Sequence, residues 1–206
     1  MKKIAYLLLV VAITTSLIFS IKYLFMFRER EANHSFNLAK FRFVQESRSI
    51  ESRVVGLNIE DFLLESAAGE EINIHSLIKE NDYTVLIVSS ISVCSACRDE
   101  ELVAWQEIAK KNNNMSIYLI AAESMPVSNI NSRKLKGIVD SLGITIPLFF
   151  DREGSVLTFF ALNEQETPIA ILIDDSGRIV SANRPSTLTV ERSTMFREDV
   201  DEILKD

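Results

Sequence analysis

At 206 residues the chain has room for one domain of ordinary size and an appendage, and 47% hydrophobic with 25% charged residues excludes a disordered polymer. The formal charge is -7, and every acidic residue and all but three basic ones lie from Arg28 onward. An acidic body of this kind is a poor nucleic-acid binder and is repelled by anionic lipid, so neither is an expected partner.

Residues 4–21 form an uncharged run of eighteen, preceded by Lys2 and Lys3 and followed by Lys22 and a stretch rich in aromatics up to Phe27. That length suits a bilayer-crossing helix, with Lys22 reaching back to the interface. A cleaved signal peptide is the alternative, but small residues suited to cleavage are weakly placed, at Thr14 with Ser16 or near Ser20. The expectation is an uncleaved anchor over residues 1–27 with its N-terminus in the cytoplasm. The remainder then lies outside, in the compartment where disulfides form. Residues 28–53, charged and lacking Gly and Pro, read as a juxtamembrane tether, and His34 as a solvated residue of it.

The globular part is expected over residues 54–206. Residues 62–65 and 71–74 read as two strands about a turn at Gly69, and 75–79 as a brief helix on which His75 is structural. Residues 84–89, T-V-L-I-V-S, are continuously apolar and β-branched, which suits a strand buried on both faces. A helix follows, with Leu102, Trp105, Ile108 and Ala109 on its inner face and Lys110 and Lys111 at its C-terminal end. Then come a strand at 116–121, a helix at 131–141 with Asn131 as its cap, and a strand at 146–150 containing Pro147. An apolar patch at 156–162 precedes a hairpin of 169–174 and 178–182 turning at Gly177, and residues 190–205 read as a closing amphipathic helix. Alternating strands and helices of this kind imply an α/β fold with right-handed crossovers.

Both cysteines, Cys94 and Cys97, fall where the buried strand gives way to the helix. A thiol at a helix N-terminus faces unpaired backbone N–H groups and the positive end of the dipole, which favour the thiolate that attacks disulfides. Cys94 is the expected attacker; Cys97, one turn on, closes a disulfide with it or resolves a mixed one. A zinc site would need more ligands than His34 and His75 offer, and haem attachment would need His where Arg98 stands. No metal or cofactor is expected.

From about Val54 to Arg184 the chain resembles the thioredoxin fold in its redoxin branch, the AhpC/TSA superfamily, and within it the membrane-anchored TlpA-like thiol-disulfide oxidoreductases. The resemblance rests on G-L-N-I-E-D-F-L-L, A-G-E-E-I-N-I, T-V-L-I-V before C-S-A-C, the inserted strand and helix over 116–141, I-P-L-F-F-D, and T-P-I-A-I-L-I-D-D-S-G-R-I-V. It implies a thioredoxin-like α/β fold, a central mixed sheet flanked by helices behind the N-terminal transmembrane helix. It also implies a single-pass protein of the bacterial inner membrane with its catalytic domain on the periplasmic side. Thr167-Pro168 matches the cis proline that faces the dithiol and lies along an extended substrate segment, and Glu100 matches a glutamate that holds or relays a proton. Pro147 competes for the first role but reads as an edge or strand-start proline.

The chain departs from the pattern at Val93, Ala96 and Leu102, and Val88 stands where thioredoxins keep a buried carboxylate. The resemblance implies protein thiols and disulfides as partners, a membrane electron donor, and reduction of exported proteins, as in readying apocytochrome c for haem. Ser95-Ala96 does not by itself assign a direction of electron flow. A peroxiredoxin-like peroxidase is an alternative, disfavoured because Ile87 and Ile91 replace the Pro and Thr that organise peroxide. A copper carrier is another, disfavoured because such carriers use a wider Cys spacing and a distal His and no His follows His75, and a non-enzymatic interaction module, a further alternative, would not require the two cysteines.

Overall fold

In the computed structural model, residues 2–79, 82–91, 95–111, 116–123 and 129–203 are described, with 2–14, 18, 129 and 130 given as backbone only. The apolar runs around 84–89 and 169–174 form adjacent central strands of a mixed sheet. Its strands are β1 (Leu63–Ser66), β2 (Glu71–Asn73), β3 (Tyr83–Ser89), β4 (Ser116–Ala121), β5 (Leu148–Phe150), β6 (Ile169–Asp174) and β7 (Ile179–Asn183). They lie in the order β2-β1-β5-β4-β3-β6-β7. β3, β4 and β5 run parallel, whereas β6 is antiparallel to β3, β7 to β6, and β1 to both of its neighbours.

The twofold alternation of strand side chains divides β3 between two cores. Leu86 and Val88 join Ile50 and Val54 of α1 (Lys2–Val54), Leu77 of α2 (Ile74–Ile78), and Val156 and Leu157 of α5 (Ser155–Phe159). Val85 and Ile87 face the other way, onto Leu102 and Trp105 of α3 (Ser95–Lys111), Leu135 and Val139 of α4 (Asn129–Ser141), and Phe196 and Val200 of α6 (Val190–Ile203). Because both faces are covered, Val85, Leu86, Ile87 and Val88 in the middle of β3 are all apolar, and the helix that follows packs on a strand buried on both sides.

Two units are compact in themselves, Met1–Val44 and Gln45–Asp206. The first is helical over its described length, with Phe19, Tyr23, Phe25 and Phe27 exposed. Among the described residues, no helix is long and apolar enough to cross a membrane. Most of the uncharged run at 4–21 lies outside the residues whose side chains are described. The second unit includes the last turns of α1, whose Ile50 and Val54 are fully buried.

Local differences from the sequence reading have identifiable causes. Asn131 is not a cap, since α4 begins at Asn129; its amide instead donates to both oxygens of Glu123 at 3.0 and 2.9 Å. Pro147 stands just before β5, and its carbonyl accepts from the N–H of Leu119 at 2.9 Å. A 3-10 turn at Glu164–Glu166 was not read from the sequence. Asn163 and Glu166 close a capping box around it, a signature visible in N-E-Q-E but too short to stand out from loop.

Candidate active site

The ends of three strands meet at one edge of the sheet. β3 and β6 pair as far as Val88 and Ile169, and β6 and β7 as far as Ala170 and Asn183. One step further lie Ser89 and Ser90 leading to the cysteine turn, Thr167 and Pro168, and Arg184. The Thr167–Pro168 peptide is cis. Thr167 is buried and its hydroxyl has two partners: it accepts from the N–H of Ser90 at 3.0 Å and donates to the carbonyl of Glu164 at 2.8 Å. A single side chain therefore ties the end of β3 to the loop carrying Pro168. Removing a buried hydrogen-bond partner of this kind costs about 1–3 kcal/mol, so the two segments are held in fixed register.

Of the two cysteines, Cys97 is described and Cys94 lies outside the described residues. Cys97 occupies the first turn of α3 and is half-buried. It opens on a cleft whose walls are Glu100 and Glu101 of α3, Pro185 and Ser186 after β7, and Val190, Ser193 and Arg197 of α6. Glu100 is exposed at this cleft. Glu101, one helical turn beyond Cys97, is 3% exposed. Its carboxylate accepts from the indole N–H of Trp105 at 2.7 Å and from Arg197 at 2.5 Å. Burial pushes the Glu101 carboxyl above its ordinary value, while the charge of Arg197 and the hydrogen bonds from Trp105 and Arg197 pull it back.

Arg184, just after β7, was not singled out by sequence. Its side chain is 13% exposed; one nitrogen donates to the carbonyl of Gln165 at 2.6 Å and another lies 3.6 Å from Glu46 of α1. Burial draws its guanidinium below the ordinary arginine value, and the charges of Glu46, Glu166 and Cys97 act in the opposite direction. Arg98, next to Cys97, is also buried, but its Nε is bound to Asp99 at 2.8 Å. Glu101 could have been found from its spacing of four from both Cys97 and Trp105. Arg184 and Arg197 carried no such signal, because their partners are distant in sequence.

His75 is away from this edge, 3.7 Å from Asp61 and beside Gly177. Among the described residues, no three His, Cys, Asp or Glu side chains are grouped to hold a metal. Ile87 and Ile91, the positions relevant to peroxide chemistry, belong to the apolar core and offer it no polar side chain.

Residues 55–182 match the model of the AhpC/TSA family. Solved structures share the fold. One is a protein of Bacteroides thetaiotaomicron provisionally assigned as a protein disulfide isomerase, 23% identical, with 74% of this chain and 91% of that one covered and a TM-score of 0.58. A thioredoxin-like protein of Porphyromonas gingivalis is 19% identical, over 71% of this chain and 92% of the other, with a TM-score of 0.56. The thioredoxin domain of a thiol-disulfide oxidoreductase from Bacteroides vulgatus is 12% identical, over 69% and 96%, with a TM-score of 0.52. No curated protein matches the chain.

Proposed function

This chain belongs to the AhpC/TSA family, and on that premise we propose that it is a thiol-disulfide oxidoreductase whose Cys94–Cys97 pair exchanges with cysteines of exported proteins. The observation that carries the reading is the Thr167 tie, which joins the end of β3, in sequence just ahead of the cysteines, to the Pro168 loop, while Cys97 lines a cleft. The neighbour from Bacteroides vulgatus is described as a thiol-disulfide oxidoreductase, which agrees with this chemistry.

In the reductive direction the Cys94 thiolate attacks a partner disulfide, forming a mixed disulfide and releasing one partner sulfur as thiolate. Cys97 then loses its proton to water in the cleft and attacks the sulfur of Cys94. The Cys94–Cys97 bond forms, the second partner sulfur leaves, and two electrons have passed to the partner. Thr167 and Pro168 present extended backbone along which a partner segment lies, and Glu100 is placed at the cleft to accept or return a proton.

The anchor over residues 1–27, a periplasmic location on the bacterial inner membrane, a membrane electron donor and a role like cytochrome c maturation complete the proposal. They are supported by the uncharged run at 4–21 and by the occurrence, in oxidising compartments, of the partner disulfides with which such a dithiol exchanges. Trapping tests the central claim. Cys97→Ser is expected to accumulate mixed disulfides through Cys94 in membranes of the expressing cell, and equal trapping by Cys94→Ser would show that the roles are wrongly assigned.

A further inference from the structure

We propose that Arg53, in the last turn of α1, is a positioning residue for this exchange: it pins the loop that carries Thr167 and Pro168, and so sets where a partner segment lies. The inference rests on the thiol-disulfide reading above. It adds an element from outside the family match, which begins at residue 55.

The last turns of α1 belong to the second compact unit. Ile50 and Val54 are buried there in the core that also holds Val88 and Ile169. Just beyond the helix, the N–H of Gly56 donates to the carbonyl of Ile179 at 2.8 Å, and the N–H of Ile179 to the carbonyl of Leu57 at 2.9 Å. Core packing and backbone bonds thus fix the turn that bears Arg53.

From that base the guanidinium holds the loop at two points. Nη1 donates to the carbonyl of Ala161 at 2.9 Å, and Nη2 to Oε1 of Glu166 at 2.8 Å. Ala161 has φ +50°, a left-handed backbone that costs any residue with a Cβ, and the bond to its carbonyl helps keep the chain there. The other oxygen of Glu166 accepts from the N–H of Asn163 at 2.8 Å and closes the capping box of the 3-10 turn. Thr167 follows at once, its hydroxyl bonded to Glu164 and to the N–H of Ser90. A line of direct contacts therefore runs from α1 through the 3-10 turn to the end of β3.

Arg53 is 40% exposed and Glu166 20%, so the pair adds little to global stability. Its effect is local. The 3-10 turn buries none of its own residues, and these bonds rather than packing hold it. A partner bound through extended backbone depends on where the loop lies, whereas a disulfide with no peptide attached does not use it.

The test uses the reduced full-length chain in mild detergent with two substrates: the disulfide-linked dimer of a short unstructured cysteine peptide, and hydroxyethyl disulfide. With either, the dithiol becomes the Cys94–Cys97 disulfide and the substrate leaves as two thiols, followed in acid-quenched samples. Arg53→Gln is expected to slow the peptide reaction about threefold and to leave the rate with hydroxyethyl disulfide unchanged. Glu166→Gln, which can still close the capping box, is expected to do the same, and the double variant to be no slower than either single one. A peptide rate equal to the parent's overturns the proposal. Equal slowing on both disulfides also overturns it, because the loss then lies in the dithiol or in stability, as do additive losses in the double variant, because the two residues then act apart. If Arg53→Gln does not fold, Glu166→Gln decides by the same comparison. A parent that reduces neither disulfide refutes the oxidoreductase reading and this inference with it; a parent active on both, with Arg53→Gln indistinguishable from it, refutes the inference alone.

Discussion

Arg197→Met should destabilise the protein in a strongly pH-dependent way. Glu101 is 3% exposed and its carboxylate has two partners, Trp105 and Arg197. Methionine keeps much of the arginine's stem packing but leaves the carboxylate with the indole alone. Stranding one member of a buried pair costs about 3–5 kcal/mol, and because Arg197 itself is 15% exposed the lower end applies. Burial already raises the Glu101 carboxyl above its ordinary value of 4.5, and Arg197 is the largest influence opposing that rise. Its removal takes the folded value higher still. A carboxyl raised in the folded state contributes stability that is fully present below the unfolded value and lost as pH rises through the folded one. The deficit of Arg197→Met is therefore expected to be largest near about pH 8 and smallest near about pH 5. Urea unfolding of the full-length chain in detergent, followed by the fluorescence of Trp105, the chain's single tryptophan, measures it at both values. Adding Glu101→Gln removes the stranded charge and should recover most of the loss. A deficit independent of pH, or a double variant as unstable as the single one, would refute the reasoning.

Thr167→Val keeps the side-chain volume and removes the hydroxyl that joins Ser90 to Glu164, so about 1–3 kcal/mol is expected from urea unfolding, and wild-type stability would mean that the tie does not hold the two segments. Gly177 has φ +84° and the nearest atom to an added Cβ would be His75 Cε1 at 3.5 Å, an ordinary contact. Gly177→Ala should accordingly lose about 1–2 kcal/mol through the left-handed backbone alone, read as a lowered Tm that a smaller side chain at position 75 does not restore.

The fold was legible wherever one physical signal dominated. Residues 85–88 and 169–173 are apolar without interruption because β3 and β6 are covered on both faces, so their strand character needed no partner to be recognised. The hairpin at Gly177 was equally plain, since Asp174 accepts from the N–H groups of Ser176 and Arg178 and only a positive φ closes that turn without strain. Legibility failed where a side chain had a choice of partners. Asn131 has the composition of a cap, but Glu123 lies within reach and α4 gains two residues ahead of it. The Glu164–Glu166 turn is only three residues long, and no hydrophobic period can be seen over such a length.

The same distinction explains the site. Thr167 and Pro168 were singled out by the family resemblance, and the peptide between them is cis, whereas Cys97 was singled out by its spacing and its place at the start of a helix. The ion pairs near this edge are brought together by topology instead. Arg197 reaches Glu101 from α6, and Arg184, at the end of an edge strand, meets Glu46 from the last turns of α1. On a single helix the run Asp99, Glu100 and Glu101 looks like three equivalent acids favoured by the dipole. Packing makes them unlike one another: Asp99 binds Arg98, Glu100 stays in solvent, and Glu101 is buried against an arginine ninety-six positions away. Since a charge acts in proportion to how poorly it is screened, Asp99 and Glu100, which keep contact with solvent, count for less than the buried Glu101. What tells one acid of this run from the next is thus decided by residues that only packing brings beside it.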